Sequence, residues 1–519
     1  MRKRGHASRS RRADGAWNRI AVAMQRMHDA RVSFHPQAFP HRSRFVRFAC
    51  PLQHLACGSA SRGPYRRVRS AKPDPCETQR RARQRRAVAF AFAGCARPMP
   101  NTFVPDRPDF GRFLLDALAL DHLVLSQFVL TGVVGFSTLI LFACLLFLAG
   151  WACWRRLRRP PLRALARYPF VSILVPFYNE PEGSLLCTLE SIERSEYPGP
   201  VEVLLVDDGS TNATAAAVAQ WLAQPRGKRY EFIARERNGG AKGLALDAAL
   251  PRLSPDSDVV TVIDSDTVIA PGALRSAVEA LYASPRHAAA CGLIVPAGRH
   301  QSWLHRLQFY EHIGALAAIR YVQSKLGSVN VVAGAFSLHR TQVIRELGGW
   351  GEWLVEDIAW TWRALAHGYS IAYAPDAIAY TICPTTLMGL FRQRRRWARG
   401  RLESFRVAWG ISWARTMKML PWWLLWAQSA LVPTLLLLFA GALLYRSHAL
   451  LAVAALNWVL MAALNFVSVL HARERLQLGL TDLLLVSVYN TVIDALLLPA
   501  NLIGLLDELR GGRKSWMTR

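Results

Sequence analysis

The chain has 519 residues, a formal net charge of +28 and 52% hydrophobic residues. Its length excludes a single small domain, and an evenly spread charge of this size would favour nucleic acid or a membrane surface as a partner. The charge is not evenly spread, because residues 1–98 hold 23 Lys and Arg against 4 Asp and Glu, and the rest of the chain carries +9.

The basic segment 1–98 is rich in Arg, Ser, Ala and Pro and has its densest run at Arg80–Arg86. One interpretation is an arm that contacts nucleic-acid phosphates. The others are a disordered tail and an untranslated segment, with synthesis starting at Met99. We expect the tail or the late start, and therefore no nucleic-acid partner. The segment lacks the cleavage pattern of a signal peptide.

The nine cysteines show no C-x-x-C pair and no nearby histidine that completes a zinc pattern. We therefore expect neither a metal site nor a disulfide framework from them. Cys144 and Cys153 lie in an apolar run, where a thiol acts as a small hydrophobe.

Residues 127–151 contain no charge and are long enough to cross a bilayer core of about 30 Å. The cluster Arg155–Arg159 follows directly, so the positive-inside rule places the next domain on the cytoplasmic side. The preceding segment 99–126 is acidic on balance, which fits the outer side. We therefore predict one N-terminal transmembrane helix.

Residues 168–400 alternate between short apolar runs and helical stretches. This alternation predicts an α/β fold with a mostly parallel sheet. The predicted strands are Val171–Pro176, Val201–Val206, Tyr230–Ala234 and Val259–Ile263. The predicted helices are Ser184–Ser195, Ala213–Ala223, one starting at Leu244 and Ile358–Ala366.

The C-terminal part becomes apolar again. We predict an interfacial helix over 401–420, three transmembrane helices within 422–506 and a basic tail over 507–519. The three spans are Trp422–Leu444, Leu450–Leu470 and Leu483–Leu506. With one N-terminal span and three more, the basic tail would lie outside, against the positive-inside rule. Either one C-terminal stretch does not cross, or a further span lies near Leu114–Val124.

Two pairs of aspartates follow predicted strands. Asp264 and Asp266 come directly after Val259–Ile263, and Asp207 and Asp208 come after Val201–Val206. Ligands bind at the carboxyl ends of the strands in open α/β sheets, and paired carboxylates beside a phosphate suit Mg²⁺ or Mn²⁺. The alternative for Asp264-Ser-Asp266 is a solvated turn.

Two further motifs follow along the chain. Glu356 and Asp357 precede a predicted helix, where Asp357 could simply be an N-cap residue. Gln393, Arg396 and Trp397 lie in a basic run just before the apolar C-terminal part. That run could instead bind anionic lipid.

The four motifs in this order resemble the family 2 glycosyltransferases, in particular the membrane-embedded processive synthases of poly-N-acetylglucosamine, cellulose, hyaluronan and chitin. The resemblance runs from about Phe170 to the C-terminus. Val332–Phe336 and Leu354–Asp357 are most similar to the poly-N-acetylglucosamine branch. Two departures are Val355, where the family usually has Thr, and one clear N-terminal span instead of two.

The resemblance implies a nucleotide-sugar-binding domain of the GT-A type with a transmembrane helical bundle. Asp207, Asp208, Lys242 and Asp264 would bind the nucleotide-sugar, and Asp264 and Asp266 would hold Mg²⁺ or Mn²⁺. Asp357 would be the general base. Gln393, Arg396 and Trp397 would bind the acceptor and the diphosphate.

The implied activity is transfer of a sugar, from UDP-N-acetylglucosamine, to a growing β-linked polysaccharide with inversion. The implied setting is the inner (plasma) membrane, crossed several times, with the catalytic domain in the cytoplasm and an accessory export subunit as a further partner. One alternative is a single-transfer enzyme acting on a lipid carrier. Another is a nucleic-acid-binding or structural membrane protein, which leaves the aspartates unexplained.

Overall fold

The computed structural model describes residues 164–298, 301–431, 434–444 and 446–512, with isolated positions between 140 and 151. The chain divides into two compact units, Met1–Phe34 with Val124–Arg519 and His35–Leu123, and all described residues belong to the first. The predictions for segments 1–98, 99–126 and 513–519 lie outside the described residues, as does most of the predicted span 127–151.

A mixed eight-stranded sheet organises the domain, in the order β3-β2-β1-β4-β7-β6-β8-β5. The strands are β1 Val171–Phe177, β2 Val201–Asp207, β3 Arg229–Ala234, β4 Val259–Ile263, β5 Thr267–Ile269, β6 His287–Pro296, β7 Phe336–Arg340 and β8 Ser370–Thr381. Strands β1 to β4 pair in parallel, as do β6 and β8. The pairs β4–β7, β6–β7 and β5–β8 are antiparallel. The prediction of an α/β domain with a mostly parallel sheet is confirmed.

Thirteen helices lie in the continuous described ranges. They are α1 Glu182–Glu193, α2 Thr214–Leu222, α3 Lys242–Ala249, α4 Ala273–Tyr282, α5 Trp303–Glu311, α6 Ala317–Lys325, α7 Thr341–Glu346, α8 Glu356–Ala366, α9 Leu387–Ile411, α10 Trp413–Leu431, α11 Thr434–Leu444, α12 His448–Leu476 and α13 Leu480–Leu509. A π-helical segment, His312–Leu316, joins α5 to α6.

Strands β1, β2 and β4 are mostly apolar and are buried along almost their whole length, as expected of parallel strands covered on both faces. Their register aligns Val171 with both Val201 and Val259. The carboxyl ends of β2 and β4 therefore meet at the same edge of the sheet, and the aspartates that follow them share that edge.

The C-terminal helices divide the chain differently from the prediction. Helix α9 runs unbroken through the boundary placed at residue 400, because Gly400 serves close packing and does not end the helix. A Cβ at Gly400 would lie 2.4 Å from Val355 Cγ2, so α9 and the start of α8 approach closely. The predicted span Trp422–Leu444 covers the end of α10 and α11, with residues 432–433 between them outside the described part.

Two of the described helices, in the ranges His448–Val467 and Leu480–Leu509, are long and apolar enough to cross a membrane. They coincide with the second and third predicted spans. Length and composition therefore allow membrane helices at two positions, and the three-span bundle stays a prediction.

Candidate functional site

Asp207 and Asp208 are fixed by local contacts at the end of β2. Asp207 Oδ1 accepts a hydrogen bond of 2.8 Å from the backbone N–H of Ser210. Asp208 forms an ion pair with Arg235 and accepts a 3.2 Å hydrogen bond from the N–H of Gly239. Burial raises the pKa of Asp208, and Arg235 opposes this effect. The two aspartates thus form a mostly buried rim at the carboxyl end of β2, and these contacts hold it in place.

Gly209 makes this rim possible. Its φ is +77°, in the left-handed region that favours glycine. A Cβ there would lie 2.7 Å from the backbone carbon of Arg237. The chain can therefore turn sharply after the aspartates only with glycine at this position.

Asp264 and Asp266 lie in the turn that follows β4. The N–H of Thr267 donates to the carbonyl of Asp264 at 3.0 Å, which closes the turn. Asp266 is buried, and Oδ1 accepts a 3.3 Å hydrogen bond from the Thr381 hydroxyl of β8. The turn is therefore a constrained connection between β4 and β5, and the solvated-turn alternative does not describe it.

Lys242, at the first position of α3, joins two of the acidic motifs. Its Nζ lies 2.5 Å from Asp264 Oδ1 and 3.0 Å from Glu356 Oε1. The lysine side chain is 10% exposed, whereas Asp264 keeps 33% of its side chain exposed. Burial disfavours the ammonium, but Asp264 and Glu356 raise the pKa of Lys242, so it stays charged.

Asp357 does not cap a helix. The N-cap residue of α8 is Val355, which provides no side-chain hydrogen bond, so the N-cap alternative is wrong. Asp357 Oδ2 accepts a 2.8 Å hydrogen bond from the N–H of Gly334, and Oδ1 accepts one of 2.7 Å from Ile358. A Cβ at Gly334 would lie 2.9 Å from Asp357 Oδ2, so this close approach requires glycine.

The charges around Asp357 give it the properties of a base. Burial and the neighbouring charge of Glu356 raise the pKa of Asp357 to about 6. Burial alone would also raise the pKa of Glu356, but Lys242 and Arg396 hold it below its ordinary value. Glu356 therefore stays ionised beside Asp357. Asp357 is a stronger proton acceptor than an ordinary carboxylate, and it is still largely ionised at neutral pH.

Sequence reasoning missed Asp247, which shapes the loop before α8. Its two carboxylate oxygens accept hydrogen bonds from the N–H groups of Trp350 at 2.7 Å and Gly351 at 2.8 Å. Asp247 thus ties the Gly348-Gly-Trp350 turn to α3, the helix that carries Lys242. No local signal marks the residue, because its partners lie 103 and 104 positions away.

Helix α9 brings Arg396 to the same cluster. Its Nη1 donates to the carbonyl of Leu354 at 3.4 Å, while Nε is buried with no partner within the part of the chain that the structure describes. Burial lowers the pKa of the Arg396 guanidinium, and the charges of Glu356, Asp357 and Asp264 oppose this effect. Arg396 therefore keeps a buried donor free for an anionic ligand.

Trp397 and Gln393 lie on α9 around Arg396, and both are half-buried. The guanidinium of Arg394 lies 4.0 Å from the centre of a Trp397 ring and forms a 2.5 Å ion pair with Glu311. The structure thus brings Arg396 into the acidic cluster and places the Arg394 guanidinium over one face of the Trp397 ring.

The basic run on α9 is mostly neutralised by the chain itself. Arg395 pairs with Asp507 at 2.5 Å and Arg399 with Glu508 at 3.4 Å, while Arg394 pairs with Glu311. Three arginines of this run therefore meet carboxylates of the protein, which argues against a free lipid-binding cluster.

Among the described residues, no group of three or more His, Cys, Asp or Glu side chains could hold a metal ion. Asp264 and Asp266 remain as a pair, and, together with burial, Asp266 raises the pKa of Asp264. Mg²⁺ is commonly held by one or two carboxylates together with substrate phosphates. The pair therefore fits a divalent cation that arrives with a diphosphate.

Comparisons with known proteins agree with this geometry. Residues 169–400 match the family model "Glycosyltransferase like family 2". The poly-beta-1,6-N-acetyl-D-glucosamine synthase of Staphylococcus epidermidis is 32% identical over 232 residues, 44% of this chain and 54% of the relative. An N-acetylglucosaminyltransferase of Azorhizobium caulinodans is 32% identical over 246 residues, 46% of this chain and 60% of the relative.

A solved mannosyltransferase from Pyrobaculum calidifontis, in complex with GDP-Man and Mn²⁺, is 22% identical, with a TM-score of 0.42, over 64% of this chain and 97% of that one. The chain spans between half and two thirds of the length of the two bacterial relatives named above. The match to the family model covers the whole sheet and all four motifs. Residues 169–400 are a glycosyltransferase family 2 domain.

Proposed function

We propose that this protein transfers N-acetylglucosamine from UDP-N-acetylglucosamine to a growing β-linked polysaccharide, with inversion at the anomeric carbon. The observation that carries the proposal is the cluster formed by Lys242, Asp264, Glu356 and Asp357, which Arg396 joins from α9. The sugar is suggested by the names of the two relatives, a poly-beta-1,6-N-acetyl-D-glucosamine synthase and an N-acetylglucosaminyltransferase.

The donor occupies the edge formed by the ends of β2 and β4. Asp207 and Asp208 bind the nucleoside, because their carboxylates form a rim fixed by backbone donors and Arg235. The ammonium group of Lys242 faces the diphosphate and is already shielded from water by burial. Asp264 and Asp266 would hold a divalent ion, Mg²⁺ or Mn²⁺, which when bound would neutralise charge on the leaving diphosphate.

Asp357 acts as the general base. It takes the proton of the acceptor hydroxyl while that oxygen attacks C1 of the sugar. The new C1–O bond forms as the bond from C1 to the diphosphate oxygen breaks, and the electron pair leaves with the diphosphate. Attack on the face opposite an α-linked leaving group gives a β-linkage.

Gln393, Arg396 and Trp397 bind the acceptor end and the diphosphate. The free, buried Nε of Arg396 supplies a charge-assisted hydrogen bond to an anion. Trp397, held by Arg394, offers a ring face on which a sugar can stack. Together they orient the acceptor hydroxyl towards Asp357.

We further propose that the protein resides in the inner (plasma) membrane with its catalytic domain in the cytoplasm. Support comes from the two long apolar helices and from the basic residues that flank the N-terminal apolar segment. The apolar C-terminal part of the chain would help to export the product, together with an accessory subunit.

Product analysis tests the proposal. The full chain in nanodiscs is incubated with a panel of nucleotide sugars, and the product is measured for sugar identity, anomeric configuration and size. UDP-N-acetylglucosamine should give a β-linked polymer. A lipid carrying one added sugar would show the single-transfer alternative instead, and the absence of transfer from every donor would refute the proposal.

A further inference from the structure

Helix α13 contacts the catalytic domain at both of its ends. Near its start, the hydroxyl of Tyr310 on α5 donates a 2.6 Å hydrogen bond to Asp482 Oδ1. Near its end, Asp507 and Glu508 pair with Arg395 and Arg399 of α9. Both ends of α13 therefore contact helices of the domain.

The middle of α13 also packs on the domain. Ile493 and Leu497 share a buried cluster with Leu304, Leu307 and Leu390 of α5 and α9. A Cβ at Gly504 would lie 2.5 Å from the carbonyl oxygen of Arg395, so the backbones of α13 and α9 are in close contact. The helix therefore lies lengthwise along the domain.

This position conflicts with a transmembrane orientation. A helix of 30 residues is about 45 Å long, and one that crosses a bilayer carries its far end about 30 Å from the side on which it starts. In α13 the far end meets Arg399, whose helix α9 packs through Gly400 against the start of α8. The hydropathy of α13 is thus compatible with a transmembrane span, whereas its packing along the domain is not.

The outward face of α13 is an apolar stripe. Its residues follow helical spacing and are all exposed, with Leu484 75% exposed. They are Leu480, Leu484, Val488, Val492, Leu496, Leu502, Ile503, Leu506 and Leu509. Asp494, in the middle of the helix, lies outside this series and is exposed. A stripe of this length on one face of a helix is typical of helices that lie in a membrane surface.

The neighbouring helices α11 and α12 also expose apolar residues. The domain end of α12 is fixed by the ion pair of Arg475 with Asp376 of β8. Its other end packs on α11 through Leu450, Ala454, Leu438 and Ala442. Leu443, Leu451 and Val459 on these two helices are exposed. An apolar environment that covers the α13 stripe would therefore cover apolar residues of α11 and α12 as well.

We propose that α13 lies in the plane of the cytoplasmic membrane surface and that its apolar stripe binds the lipid bilayer. The C-terminal end of α13 is then on the side of the catalytic domain, together with the exposed basic residue Arg510. The positive-inside rule is satisfied by this topology. The proposal rests on the membrane association proposed above and does not depend on sugar transfer.

Depth measurements test the orientation. Leu484→Cys, Val492→Cys and Leu502→Cys are labelled with a fluorophore in nanodiscs whose lipids carry quenchers at defined depths, and the signal of the parent chain is subtracted. Leu451→Cys and Val459→Cys on α12 are the matched control, since eight residues of a spanning helix differ by about 12 Å in depth. The three α13 probes should share one shallow depth, whereas the α12 pair should be staggered. Staggered α13 depths, or no lipid quenching of the α13 probes, would overturn the proposal.

Sidedness gives an independent test. Arg510→Cys should react with a membrane-impermeant maleimide from the same side as Ala223→Cys, which is exposed on the domain, and from the opposite side to His448→Cys at the start of α12. Reaction of Arg510→Cys from the side of His448→Cys would show that α13 crosses the membrane. Neither measurement requires turnover, so a protein without transferase activity is tested equally well.

Discussion

The donor half and the catalytic half of the site are built differently. In the donor half, Asp207 and Asp208 are fixed by neighbours such as Ser210, Arg235 and Gly239, all within a short stretch of chain. In the catalytic half, Lys242, Glu356 and Arg396 come from three helices distant in sequence. Local turns form the rim that we propose binds the nucleotide, whereas tertiary packing sets the charge state of Asp357, the proposed base.

This contrast predicts that substitutions in the two halves have different effects on the enzyme. Changes in the donor half should weaken nucleotide-sugar binding and leave the chemical step largely intact. Changes in the catalytic half should alter turnover and its dependence on pH. The predictions below use this separation.

The largest effect is expected at the pair Asp264 and Asp266, which lies between the two halves. Activity should vanish in excess chelator and return with Mg²⁺ or Mn²⁺, and Asp266→Asn should abolish turnover because the metal loses a charged ligand. Mn²⁺ binding, measured by electron paramagnetic resonance, should weaken in the same variant. The exposed Asp256→Asn is the control. Full activity in excess chelator would exclude a metal role.

A change in the donor half should act on affinity. Asp208→Asn leaves Arg235 without its anionic partner, and hydrogen bonds to charged groups contribute about 1.5–3 kcal/mol. Donor affinity, measured by calorimetry, should therefore fall about 10–100-fold, while kcat at saturating donor changes little. Glu236→Gln, exposed and adjacent to Arg235, should bind as the parent does. Unchanged affinity in Asp208→Asn would remove Asp208 from the donor site.

A change in the catalytic half should act on the pH profile. Asp357 must be ionised to accept a proton, so turnover should be present above a pKa of about 6 and lost as the pH falls through it. Glu356→Gln removes a negative charge that raises this pKa, so the acidic limb of kcat should move to lower pH. The exposed Glu352→Gln should leave the limb in place. An unmoved limb in Glu356→Gln would contradict the assigned coupling.

The sequence predicts the four strands, β1 to β4, that are marked by local patterns of apolar residues. Strands β1 to β4 are continuous apolar runs that end in polar turns, and each predicted boundary agrees with the structure to within one residue. The strand β5, with three residues, is too short to show a period. The antiparallel insertion of β7 between β4 and β6 depends on pairing between distant segments, which a single sequence does not reveal.

The candidate site shows the same limit. The aspartates after β2 and β4 could be found because strand ends mark them. The ion pairs of Lys242 with Asp264 and Glu356 join residues that no spacing connects, and Asp247 has no sequence signal. For α13, composition predicts a span, and that span stays a prediction. The hydrogen bond of Asp482 and the ion pairs of Asp507 and Glu508, which support the orientation proposed above, depend on tertiary packing and have no sequence signal.

The most direct test of the account is the turnover of Asp357→Asn, measured in nanodiscs alongside its nucleotide-sugar affinity. The substitution preserves the shape of the side chain and removes the proton acceptor. General acid–base catalysis contributes about 10²–10⁴-fold to rate, so kcat should fall at least about a hundredfold while donor affinity stays close to that of the parent. Turnover close to that of the parent would contradict the assignment of Asp357 as the general base.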